Sequence, residues 1–132
     1  MRVLIASSSA YRRDQYQQAI HSLGHEVLLA EGGVECVRQV RACAPDLLVL
    51  EAPLLWGGSD GVLEVMQELA PSTTRVVLVA AGTGSIDWFQ LSRFHVDDIL
   101  FRMPTMHELQ RAIGDGRASA AQQPAHTNHQ LA

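Results

Sequence analysis

The chain has 132 residues, enough for one domain with a substantial core, and 47% apolar with 18% charged residues is an ordinary globular balance. A net charge of −4 argues against non-specific nucleic-acid binding, which needs clustered Lys and Arg. All ten basic side chains are Arg, so Schiff-base and phosphate-loop lysine chemistry are excluded.

Five short apolar runs stand out in chain order: Val3–Ala6, Val27–Ala30, Leu47–Leu50, Val76–Ala81 and Ile99–Phe101. They are nearly continuous rather than alternating, as parallel strands covered on both faces are. Helix-length segments separate them. In the first, Tyr16, Ala19, Ile20 and Leu23 share one face, and Gly24 is a natural stop. Cys36, Val37, Val40 and Ala44 do the same in the second, which Pro45 ends. Val62, Val65, Met66 and Leu69 follow in the third, ended by Ala70-Pro71. A fourth and less regular segment covers about 86–94, with Ser85 as N-cap. The fifth opens on Thr105-x-x-Glu108, a capping box, and should bury Leu109, Ala112 and Ile113.

Strict strand–helix alternation with short loops predicts an α/β fold, a doubly wound parallel sheet with helices on both faces. A site in such a sheet lies beyond the C-terminal ends of the strands, near the topological switch. Residues 114–132 lose the apolar period, and Gly, Ala, Gln, Asn and His dominate. This segment reads as a disordered tail or a linker, leaving 1–113 as the domain. Cys36 and Cys43 lie two helical turns apart, about 10 Å along the axis. A disulfide needs Cα atoms within about 7 Å, so both are expected as free thiols of a cytoplasmic protein. The first apolar run is too short for a signal peptide, and no run has a membrane-spanning length.

The run Pro45-Asp46-Leu47-Leu48-Val49-Leu50-Glu51, with Gly24-His25-Glu26-Val27, Gly33-Val34-Glu35, Asp60-Gly61 and Val96-Asp97-Asp98-Ile99-Leu100, resembles the receiver domain of two-component response regulators. The resemblance covers about residues 2–113. It implies a five-stranded sheet of order 2-1-3-4-5 in a flavodoxin-like three-layer sandwich. It also implies a non-enzymatic signalling module that works in a phosphorelay with a histidine kinase, an output domain or another regulator.

Several positions depart from the family pattern. Glu51 stands where the family has its phosphoaccepting aspartate. Ser7 and Ser8 replace the acidic pair of the metal pocket, so Mg²⁺, which favours carboxylate oxygens, should bind weakly or not at all. Ala80 replaces the switch hydroxyl and Ile99 the switch aromatic, while Arg102 replaces the lysine that clamps phosphoryl oxygens. In the loop after Glu51, Pro53 comes early and Gly61 late, which lengthens the apolar stretch Leu54-Leu55-Trp56-Gly57-Gly58-Ser59. No cofactor is expected.

Three roles for Glu51 follow: a residual phosphoacceptor, a permanent stand-in for phosphoaspartate, or a satisfied polar residue at a strand end. The second and third both predict a contact between Glu51 and Arg102. One of the serines 7–9, with Ser9 the best placed, should cap the first helix; the alternative is a hydroxyl cluster binding an anion there. Trp56 and Trp88 are candidate partner anchors or edge caps of the core. His95 occupies a slot that favours Gly, and His126 and His129 read as solvated.

The reading with most support is a pseudo-receiver, independent of phosphorylation, that acts through a protein partner and pairs with itself through about residues 86–113. It binds no nucleic acid directly and no membrane. A small-ligand sensor for a nucleotide or cyclic dinucleotide, with Ser7–Ser9 and Gly57-Gly58 lining its pocket, is the alternative. A conventional regulator phosphorylated on Glu51 is the third.

Overall fold

The computed structural model describes residues 1–52, 58–69, 73–80, 96–102 and 104–114, with backbone alone at 58–60. Eight elements follow one another as β1 (Arg2–Ala6), α1 (Ala10–Ser22), β2 (Glu26–Ala30), α2 (Gly33–Cys43), β3 (Leu47–Ala52), α3 (Gly58–Glu68), β4 (Arg75–Ala80) and β5 (Asp98–Leu100). A last helix, α4, covers 106–114. The strands form one sheet of order β2-β1-β3-β4-β5, with every neighbouring pair parallel. The doubly wound parallel sheet is the one expected from the strand–helix alternation, and its order is the one implied by the resemblance to receiver domains.

Alternation along the strands sorts the core into two layers. On one face, Leu4, Ala6, Leu48, Leu50, Val76 and Leu78 pack with Cys36 and Val40 of α2 and with Val62, Leu63 and Met66 of α3. On the other, Val3, Ile5, Leu47, Val49, Val77 and Val79 pack with Tyr16 and Ile20 of α1 and with Leu109 and Ile113 of α4. β3 is central and buried along its whole length.

Local chemistry sets the helix ends. Ser9 caps α1, its side chain accepting from the Arg12 amide at 3.2 Å. Gly24 takes φ 89° just past α1, where a Cβ would be strained. At α4 the capping box closes both ways: Thr105 N–H donates to Glu108 Oε1 at 2.9 Å, and Glu108 N–H donates to Thr105 Oγ1 at 3.2 Å. Cys36 and Cys43 are free thiols, and burial pushes the Cys36 thiol up to about 12.

The structure corrects some expectations. Ala44 is not on the buried face of α2 but is its exposed C-cap, left-handed at φ 45° and ψ 64°. Leu23 and Leu69 are exposed because they follow the last helical residue, where the chain leaves the buried stripe. β3 runs through Glu51 to Ala52, and β5 stops at Leu100, leaving Phe101 exposed. Gly58 and Ser59 belong to α3 rather than to the loop before it. Gly114 completes α4 instead of starting a tail. The expected helix over 86–94, the segment 115–132, Trp56, Trp88, His95, His126 and His129 lie outside the described residues. Among the described residues, no helix is long and apolar enough to cross a membrane.

Candidate functional site

Glu51 sits on β3 two residues past Val49, on the face covered by α1 and α4. β1 and β3 are in register up to Ala6 and Leu50, so the next residues, Ser7 and Glu51, come side by side where the chain leaves β1 for α1. Both are buried, Glu51 to 3% and Ser7 to 0% exposure. A carboxylate at that depth needs its lone pairs filled and its charge matched.

Arg12 and Ser7 meet that need. Arg12 Nε donates to Glu51 Oε2 at 2.9 Å, and Nη2 of the same guanidinium donates to Oε1 at 3.1 Å. This is a side-on fork on the whole carboxylate, and Nε also lies 3.2 Å from Oε1. Ser7 Oγ donates to Oε1 at 2.6 Å and accepts from the Ser9 amide at 3.1 Å. Arg13 reaches back from α1 to donate to the Ser7 carbonyl oxygen at 2.6 Å, and its other end lies 3.6 Å from Glu31. Among the described residues, no buried side-chain nitrogen or oxygen lacks a hydrogen-bond partner.

The charges are felt around the site. The hydrogen bond to Glu51, reinforced by its negative charge, raises the Arg12 pKa. Burial, and then the Glu51 charge, pushes the Tyr16 phenol up to about 12. Tyr16 lies one turn after Arg12 on α1, so the buried stripe of that helix and its ionic end face the same layer.

The expected contact between Glu51 and Arg102 is not formed. Arg102 lies beyond the end of β5, and β4 separates that strand from β3. Its side chain is 67% exposed and forks onto Glu108, at 2.7 Å and 3.0 Å. That bond, more than the capping bond from Thr105, lowers the Glu108 pKa. Glu108 wins Arg102 because it is only six residues away and already fixed by the capping box.

The other substituted positions are spread over both faces. Ala80 ends β4 beside Ala52 and alternates with Val76 and Leu78, on the opposite face from Glu51. Ile99 packs, partly buried, against the layer made by α2 and α3. Ser9 serves as helix cap, the role foreseen for it. A shallow open cavity of about 480 Å³, lined by Met1, Arg2, Gly24, Glu26, Ala44 and Asp46, lies at the N-terminal ends of β1, β2 and β3, the far end of the strands from Glu51.

Arg12 was not singled out from the sequence, though a signal existed. With Ser9 as N-cap, Arg12 and Arg13 fall in the first turn of α1, which carries no acidic residue. Cations there oppose the helix dipole at a cost of about 0.3–1 kcal/mol each. A local rule broken in this way points to a compensating partner elsewhere.

The residues present do not fit a divalent cation. Such an ion wants carboxylate and other oxygen ligands in near-octahedral array. Ser7 contributes only a hydroxyl already committed to Glu51, and both Glu51 oxygens face a guanidinium whose charge would repel a second cation. No group of three or more His, Cys, Asp and Glu side chains that could hold a metal is found among the described residues.

No protein-family model matches the chain, and no curated protein matches it. Solved structures do. The N-terminal domain of a response regulator/sensory box/GGDEF three-domain protein from Carboxydothermus hydrogenoformans superposes with TM-score 0.79 at 19% identity, over 92% of this chain and 98% of that one. The receiver domain of a sensor histidine kinase from Pseudomonas aeruginosa PAO1, which has a magnesium ion coordinated in its active-site cleft, gives 0.75 at 16% identity, over 86% of this chain and 94% of that one. A chemotaxis protein of Vibrio cholerae gives 0.73 at 16% identity, over 86% and 96%. With its strand order and register, the chain therefore has the fold of response-regulator receiver domains.

Proposed function

We propose that this chain is a receiver-like signalling module of a two-component system that works without being phosphorylated, by binding a protein partner. The observation that carries the proposal is the engagement of Glu51: both carboxylate oxygens hold the Arg12 fork, and one of them also holds Ser7 Oγ. A phosphoacceptor must present a free oxygen in line with the donor, and phosphoryl transfer depends on positioned charge around it. Here the nearest cation is spent on the carboxylate itself. Ala80 and Ile99 supply neither hydroxyl nor aromatic ring to read a phosphoryl group.

The partner would be a histidine kinase, an output domain or another regulator. Self-association through about residues 86–113 belongs to the same proposal; within that stretch Phe101 and Met106 are large, apolar and exposed. Trp56 and Trp88 are candidates for the partner contact.

Incubating the protein with acetyl phosphate and MgCl₂ and weighing it intact tests the central point. The expected result is no added phosphoryl mass. A stoichiometric gain that Glu51→Gln abolishes would overturn the proposal. For self-association, a sedimentation mass fixed at one chain across a wide concentration range would remove that part.

A further inference from the structure

We infer that Arg12 is the built-in cation of this site, a guanidinium that answers the charge of the buried Glu51 so that the site needs no free metal ion. The inference rests on the reading of Glu51 as the carboxylate of the functional site, and it names what governs that site.

Four observations carry it. Glu51 is 3% exposed, so its charge demands a counter-ion. The fork from Arg12 meets both oxygens, so a second cation would have to approach against the guanidinium charge. Arg12 sits in the first turn of α1, where the helix dipole disfavours it, so its place is explained by Glu51 rather than by the helix. Ser7 Oγ completes the oxygen set, and with Glu51 it would line the cavity left if the guanidinium were removed.

Guanidinium and metal differ in one consequential way. An inorganic ion exchanges with solvent and can be withdrawn; a guanidinium tethered to α1 cannot. The ends of β1 and β3 and the start of α1 are therefore held together at any cation concentration. The cation of the site is supplied by the chain, not by its medium.

Thermal melting of the wild type, Arg12→Ala, Glu51→Gln and the double variant R12A/E51Q, with and without millimolar MnCl₂, tests this, with NaCl matched for ionic strength. The wild type should be indifferent to Mn²⁺. Arg12→Ala should lose on the order of 10 °C, because it strands a buried carboxylate, and should recover part of that loss with Mn²⁺. The double variant should be more stable than Arg12→Ala and blind to Mn²⁺, since no charge is left to match. If Arg12→Ala fails to fold alone, refolding it with and without MnCl₂ makes the same comparison. A wild type stabilised by Mn²⁺ as strongly as Arg12→Ala, or an Arg12→Ala that either keeps its stability or fails to respond to the ion, would overturn the inference. A positive phosphodonor result would sink the phosphorylation-independent function while leaving this melting result to stand or fall separately.

Discussion

Arg12 and Glu51, 39 positions apart, form one forked ion pair that binds the first turn of α1 to the end of the central strand β3. Its two halves are unequal: Glu51 is 3% exposed and the Arg12 side chain 41%. Removing either half should therefore have different costs. Arg12→Ala leaves a buried charge and is expected to cost near the lower end of about 3–5 kcal/mol, since water can enter where the exposed guanidinium was. Glu51→Gln leaves a cation that can rehydrate and keeps an acceptor for Ser7, so about 1–2 kcal/mol is expected. Urea unfolding of both variants checks the order; equal costs would refute the asymmetry.

Ser7 is the neutral member of the site, and its hydroxyl both donates to Glu51 and accepts from the Ser9 amide. Ser7→Ala should cost about 1–3 kcal/mol, the usual penalty for stranding buried partners. Ser7→Asp should be worse, because it sets a second buried carboxylate beside Glu51 with one guanidinium to share. A Ser7→Asp melting temperature at or above that of Ser7→Ala would contradict this.

Alkali should weaken the fold through Tyr16 and Cys36. Burial, aided by the Glu51 charge, raises the folded-state phenol from 10.0 to about 12, and burial raises the Cys36 thiol from 9.0 to about 12. In both cases the unfolded chain releases its proton first. Stability from these groups is thus intact below pH 9, falls as pH rises toward about 12, and levels off beyond it. Melting temperature followed against pH should show this decline, and Tyr16→Phe should flatten the part above pH 10.

At the acid end, Arg102 and Thr105 lower the Glu108 pKa from 4.5. A depressed carboxylate contributes stability that is present above its unfolded value and lost as pH falls through the folded one. Arg102→Ala should soften that acid dependence and leave the Glu51 site untouched, so its melting temperature near neutral pH should barely move. A loss comparable to that of Arg12→Ala would restore Arg102 as the partner of Glu51.

Ala44 holds a left-handed conformation at φ 45°, which costs an L-residue about 1–2 kcal/mol, and its methyl is exposed. Ala44→Gly should raise stability by about 0.5–1 kcal/mol after the added freedom of the unfolded chain is counted. A destabilised Ala44→Gly in denaturant titration would mean that the methyl contributes packing not visible in its exposure.

The sequence by itself determined the strands, their parallel pairing and several helix ends, while the strand order was what the resemblance to receiver domains implied. Continuous apolar runs such as Leu47–Leu50 read as buried strands without tertiary help. The reciprocal bonds of Thr105 and Glu108 were legible because a capping box is closed within four residues. Ala44 was misplaced because a helical period cannot say where its last turn stops when Pro45 forces an exit.

What only the tertiary structure decided was the partner of Glu51. Arg12 and Arg102 carry the same charge on side chains of equal reach, and no local spacing separates them. The register of β1 with β3 brings α1 over Glu51, whereas β4 intervenes on the side of β5, and Glu108 holds Arg102 at the surface. Long side chains choose partners by the three-dimensional placement of their backbones. Ser7, Ser8 and Ala80 could be read off the sequence, while the guanidinium that meets Glu51 emerged only when the chain was folded.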